Sequence, residues 1–340
     1  MSSAFKRIAQ VLLLAVGAAL LIMVLRRTGT EKLKEILPAL AKPGSWAVFL
    51  FYLVMNFWDT VAWQVLVPVS GWRRRAAQCK DLFLIRLAGE AVNGMTPFID
   101  VGGEFLKAAL ASDVLKMSKK NVVTSVVLAR TTLFFSEIMF WIWGLLPAFW
   151  MVSLSPSVRW GLGTTTVIFI VLAAALLFLQ RRGFFSTIVG GFKRLGFGLG
   201  LAQKFHLSLK EIDGEITSFY RAKKGILCWS IFLHWIGWGA GGFETYLMFK
   251  ILGSPLTFWQ MMLGEALFQI VKTGSFFIPA NLGAQEAGFA LFAQMVGIHP
   301  SQGVLVSLLK RARQLLWAGV GFAIWGIYTI MVPSKSGASI

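Results

Sequence analysis

The chain has 340 residues, 56% of them hydrophobic and only 14% charged, with a mean hydropathy of +0.70. Soluble domains carry about 25% charged residues, so this composition excludes an ordinary soluble enzyme and specifies an integral membrane protein. Thirty-three Lys and Arg oppose fifteen Asp and Glu, giving +18. In a membrane protein such an excess sets orientation and meets anionic lipid headgroups, and it requires no nucleic acid.

Cys79 and Cys228 form no CxxC, and His206, His234 and His299 are scattered, so neither a metal site nor a disulfide framework is expected. No polar stretch reaches about 50 residues, the lower size of a domain. Residues 1–340 therefore read as a single membrane domain.

In chain order, residues 8–25 form an apolar run between Lys6-Arg7 and Arg26-Arg27, read as a membrane anchor without a cleavage motif. Leu33, Ile36, Leu37 and Leu40 share one face of a short interfacial helix. Residues 45–69 form the second span, with Asn56, Asp59 and Gln64 inside it and Arg73-Arg74-Arg75 closing it. Residues 81–116 read as two half-helices joined at 97–103.

Residues 121–152 form a span carrying Arg130 and Glu137, and residues 160–180 form another that ends at Arg181-Arg182. In the loop 183–224, Phe205, Leu209, Ile212, Ile216 and Phe219 recur at helical spacing between charged residues. That pattern predicts an amphipathic helix on the membrane surface. Residues 226–252 follow, where Gly237, Gly239, Gly241 and Gly242 are expected to loosen the helix before Glu244. A second broken element at 259–295 and a last span at 302–332 complete an all-α helical bundle of about six spans and two broken elements.

The loop charges favour a cytoplasmic N-terminus and C-terminus, with Arg73–Arg75, Lys80, Lys116, Lys119, Lys120 and the 181–224 cluster inside. The cations between 26 and 42 stand against that assignment.

The two broken elements resemble each other. Pro97 and Glu104 lie seven apart, as do Pro279 and Glu286. Gly102 and Gly103 interrupt the first element, and Asn281 and Gly283 the second. Gly89-Glu90-Ala91 precedes one and Gly264-Glu265-Ala266 the other. Ungapped, 118–130 and 301–313 share Ser, Val, Ala and Arg. These matches define repeat elements at 70–152 and 258–332, inverted if the orientation above holds. Inverted repeats with broken helices build a midplane site from half-helix N-termini, whose free N–H groups favour anions.

Arg130 and Arg313 each lie about ten residues into a span, or roughly 15 Å deep. A charge at such depth costs about 2.5–3.5 kcal/mol. Lys310, Arg311 and Arg313 crowd into four positions and need carboxylates or a hydrated cavity, with Glu104, Glu137, Glu244 and Glu286 as the available acids. With Glu244 near an interface, Arg130, Lys310, Arg311 and Arg313 outnumber the acids within reach. The expected substrate-binding set is therefore Arg130, Glu286, Lys310, Arg311, Arg313, Glu104 and Glu244, with no catalytic or metal-binding residue. The competing reading is structural. Buried ions can pair between helices, a Glu in a first turn is favoured by the dipole alone, and Asp100 can cap a helix. Lys107 can pair with Glu104 at i,i+3. Asp59 and Glu90 rank lower.

The run Phe276-Phe277-Ile278-Pro279-Ala280-Asn281-Leu282-Gly283-Ala284-Gln285-Glu286-Ala287-Gly288, followed by Lys310-Arg311-Ala312-Arg313, resembles the lysylphosphatidylglycerol synthase transmembrane family, also called flippase-like. Trp238-Gly239-Ala240-Gly241-Gly242-Phe243-Glu244 resembles its hopanoid-biosynthesis-associated branch. The resemblance covers nearly the whole chain, although Phe98-Ile99-Asp100 departs from the pattern in the first element. Two-domain members join this region to a soluble aminoacyl-transfer domain, which this sequence lacks, so the resemblance implies lipid movement and not lipid aminoacylation.

The expectation is thus a bacterial inner-membrane translocator of an anionic or polar-headed lipid, such as a polyprenyl-phosphate or a hopanoid-linked lipid. It would need no cofactor and, without a Walker motif, would run on a gradient or downhill. The alternatives are a membrane glycosyl or acyl transferase with Glu104, Glu286 or Asp100 as base, and a scaffold for lipid-biosynthetic enzymes that uses residues 181–224.

Overall fold

Inside a bilayer no water satisfies backbone groups, so spanning segments must close their hydrogen bonds internally. The computed structural model follows that rule. It describes residues 45–68, 72–94, 102–146, 156–183, 199–275 and 283–331, with single positions 38, 41, 186, 278 and 281. Among the described residues there are ten α-helices and no strand. In order they are α1 (Ala47–Gln64), α2 (Trp72–Asn93), α3 (Gly102–Leu115), α4 (Lys119–Leu145), α5 (Pro156–Arg182), α6 (Leu199–Ala222), α7 (Lys224–Ile251), α8 (Phe258–Gly274), α9 (Ala284–Met295) and α10 (Pro300–Met331). The expected anchor at 8–25, the interfacial helix of Leu33 to Leu40, and Pro97 and Pro279 lie outside the described residues.

Local chemistry sets several of these starts. Ser118 caps α4 by accepting from the Asn121 N–H (3.3 Å), and Thr257 and Gln260 form a reciprocal capping box at α8. Helix α2 begins at Trp72, nine residues before the expected 81, because arginine and alanine are strong helix formers. Arg73, Arg74 and Arg75 therefore lie on a helix instead of closing a loop.

Among the described residues, four helices are long and apolar enough to cross a membrane: α4, α5 (from Arg159), α7 and α10. They differ in what they face. The most apolar stretch of α5 is only 6% buried, against 56% for α4. Trp160, Val167, Val171 and Leu172 of α5 stand outward, so α5 presents a lipid-facing wall and α4 is a central post.

Contacts repeat across two halves. Helix α1 packs on α2 as α7 packs on α8, and α1 and α7 pack on each other. Each short second arm (α3, α9) packs on the arm before it and the long helix after it. The long helices then cross over, α4 against α8 and α10 against α2. These close approaches need small residues. A Cβ on Gly103 would lie 2.0 Å from the Gly89 carbonyl oxygen, and one on Gly303 would lie 2.0 Å from that of Phe289.

One expectation fails here. The glycines before Glu244 do not loosen α7, which is continuous from Lys224 to Ile251. They instead let neighbours in: Gly237 faces Asp59 of α1, and Gly241 faces Met55 of α1 and Glu265 of α8.

Candidate functional site: two buried charge clusters

The first cluster forms where α2 and α3 meet. Arg86 and Glu90 stand one turn apart on α2 (3.5 Å), and Arg86 reaches Asp59 of α1 (2.7 Å). Lys107 of α3 bridges Glu90 (2.7 Å) and Glu104 (2.8 Å). His234 of α7 closes the chain through Nδ1 to Asp59 (2.6 Å). Asn93, the last residue of α2, accepts from the Gly103 N–H (2.6 Å) and donates to Glu104 (3.3 Å). That one side chain ties the two arms of the break together.

Arg130 of α4 enters from the opposite wall. It lines a cavity of about 10 Å³ with Trp63, Arg86, Glu104 and Lys107, room for about one water. It is half-buried, and among the described residues its guanidinium makes no hydrogen bond or ion pair. Its charge still balances the cluster, which holds Asp59, Glu90 and Glu104 against Arg86, Lys107 and Arg130.

The second cluster forms where α7, α8, α9 and α10 meet. Lys310 donates to Glu265 (2.7 Å), which also accepts from Thr245 (2.6 Å) and Gln269 (2.8 Å). Its ammonium sits over the Phe268 ring (4.5 Å) and the Phe289 ring (5.6 Å), a cation–π cradle. Arg313 pairs with Glu244 and lies over Tyr52 (4.9 Å).

Arg311 grips Glu286 with two nitrogens (2.5 and 3.0 Å) and the Asn281 carbonyl with one of them (3.1 Å). Glu286 accepts from the Gly283 N–H (2.8 Å) at the start of α9. The break itself uses left-handed backbone at Asn281 (φ 49°) and Gly283 (φ 84°). With the Asn281 amide oriented so that its nitrogen faces acceptors, it donates to the Lys272 (3.1 Å) and Ser275 (2.9 Å) carbonyls, the latter also accepting from the Ile278 N–H (2.8 Å).

The structure thus brings Glu244, Glu286, Lys310, Arg311 and Arg313 together at one break, and Arg130 and Glu104 at the other. It corrects one expectation in part: of the four cations expected to outnumber their acids, the three on α10 do not. Glu265 supplies the missing carboxylate, so three acids face three cations. The anion-favouring N-termini of α3 and α9 also hold the chain's own carboxylates, Glu104 and Glu286, in their first turns. Arg86, Glu265 and His234 entered no expected site. Only the shared Gly-Glu-Ala triplets signalled that Glu90 and Glu265 occupy matching places.

A bundle of apolar helices with two breaks and its ions gathered inside defines a polytopic α-helical membrane protein. The chain belongs to the family described as Lysylphosphatidylglycerol synthase TM region, which it matches over residues 9–322. That membership associates it with a lipid-related function in a membrane. Comparison with curated proteins and with solved structures returns no match.

Proposed function

We propose that the protein moves an anionic or polar-headed lipid between the leaflets of the bacterial inner membrane, with both termini cytoplasmic and the two breaks forming an inverted repeat. Polyprenyl-phosphate and hopanoid-linked lipids fit that class, the latter through the Trp238–Glu244 resemblance. The observation that carries the reading is Arg130. A cation half-buried in a spanning helix is costly, and the other ions of its cluster are bonded to one another. A phosphate headgroup would give Arg130 a partner and could share Lys107 and Arg86 across the same cavity. The mirrored packing of α1–α4 and α7–α10 supports two matching elements that move against each other. A cavity of about 10 Å³ is too small for a headgroup, so in this reading transport requires the arms to part.

The test is leaflet exchange in vesicles reconstituted with the full chain, comparing a phosphate-headed lipid with a neutral-headed one. Arg130→Gln should slow the phosphate-headed lipid about tenfold or more, or about 1.4 kcal/mol, and the neutral one much less. Arg130→Lys should rescue partly, restoring charge without the two-point grip. Equal loss for both lipids, or loss that tracks protein amount, would leave Arg130 a scaffold residue.

A further inference from the structure

A second polar region lies away from both charge clusters, where the C-terminal turns of α5 and α6 meet the N-terminal turn of α7. Arg181, Thr217, Tyr220, Arg221 and Lys224 line a cavity of about 380 Å³ there. That volume is in the range that small ligands occupy.

The floor of this cavity is fixed. Tyr220 donates to Gln180 (2.5 Å), Gln180 to Thr131 (2.8 Å), and Thr131 to the Val127 carbonyl (2.9 Å). This buried relay joins α6 to α5 and α4. Burial pushes the Tyr220 pKa up to about 12, so its hydroxyl stays neutral and stays in the relay.

The rim is cationic, and the nearby acids are committed elsewhere. Asp213 accepts from the Ser186 N–H (2.8 Å) and hydroxyl (2.6 Å). Glu215 and Glu211 both face Lys120 (3.0 and 4.0 Å). Among the described residues, the side chains of Arg181, Arg221 and Lys224 make no hydrogen bond or ion pair. The Arg181 guanidinium lies over the Tyr220 ring (5.9 Å). Three like charges around one cavity repel each other and focus a positive potential into it.

The surroundings decide what kind of anion fits. Phe178, three residues before Arg181 on α5, stands exposed, as do Ile226 and Trp229, two and five residues after Lys224 on α7. Exposed tryptophan and aliphatic side chains within two turns of a cationic rim are the chemistry of a membrane–water boundary. We propose that this cavity is a lipid site, holding the phosphate diester of an anionic membrane lipid among Arg181, Arg221 and Lys224, with its acyl chains along α5 and α7. The site is independent of transport at the breaks.

The experiment is native mass spectrometry of the full chain in a mild detergent, with added phosphatidylglycerol, phosphatidylcholine or soluble glycerol phosphate. The wild type should retain phosphatidylglycerol over the other two. The triple variant Arg181→Gln, Arg221→Gln, Lys224→Gln should lower that retention about tenfold, and Arg221→Gln alone should lower it measurably with the fold intact. Arg181→Lys with Arg221→Lys should keep most of it. Removing the same charge elsewhere, at Lys116, Lys119 and Arg159, should change nothing. Unchanged retention in both the triple and the Arg221 variant would overturn the proposal. So would equal loss in the control triple, or glycerol phosphate retained as well as the lipid.

Discussion

Glu265 and Lys310 allow the buried charges to be weighed one by one. Glu265 is 0% exposed and Lys310 is 1% exposed. Lys310→Met removes the cation and, among the described residues, leaves the carboxylate hydrogen-bonded by Thr245 and Gln269. Breaking a buried pair in this way costs about 3–5 kcal/mol, and the two remaining donors favour the lower end. Glu265→Gln should cost less. Lys310 would still lie 3.8 Å from Glu244, where an effective dielectric near 20 leaves about 4 kcal/mol of gross attraction, against about 6 at the Glu265 distance. We therefore expect about 3 kcal/mol for Lys310→Met and about 2 for Glu265→Gln. The double variant should cost no more than the milder single one, a coupling of about 3 kcal/mol. Reversible denaturant unfolding in mixed micelles would measure all three. A Lys310→Met cost below about 1 kcal/mol, or strictly additive costs, would refute this account of the pair.

Two further outcomes are expected. Gly103→Ala and Gly303→Ala each place a Cβ 2.0 Å from a carbonyl oxygen that cannot give way. Each should lose about 1–3 kcal/mol in the same unfolding assay, while Gly163→Ala, with nothing within 4 Å, should not. Single cysteines at Arg182 and Ser336, in a background lacking Cys79 and Cys228, should resist labelling from outside intact cells. Cysteines at Gly253 and His299 should react, and labelling at 182 without labelling at 299 would sink the inverted arrangement.

Local pattern was readable from the chain, but pairing over distance was not. Proline and glycine mark both breaks in the sequence, with Asn281 added at the second, and α2 and α8 end close to them, at Asn93 and Gly274. The spacing of Leu209, Ile212, Ile216 and Phe219 foretold α6, because one helical face is a property of neighbours in sequence. Glu265 was missed for the opposite reason: its partner lies 45 residues away on another helix. Asp59 and Arg86 are separated in the same manner, by 27 residues. The α7 glycines misled because a glycine that admits a neighbouring helix looks, in sequence, like one that breaks its own.

The two clusters are wired over different spans of chain, and this orders the making of the protein. Glu90 meets Lys107 after 17 residues and Asp59 meets Arg86 after 27. The first cluster can thus close these pairs while the ribosome is still early in the message. Glu265 waits 45 residues for Lys310, and Glu244 waits 69 for Arg313. Until α10 is delivered, α7 and α8 hold carboxylates in lipid with no cation to meet them, and each is a burden on the order of a few kcal/mol. The last helix is therefore the fastener of the second half. A nascent chain stopped short of it would have the early pairs of the first cluster closed, while the second cluster would lack its cations and α2 its packing against α10.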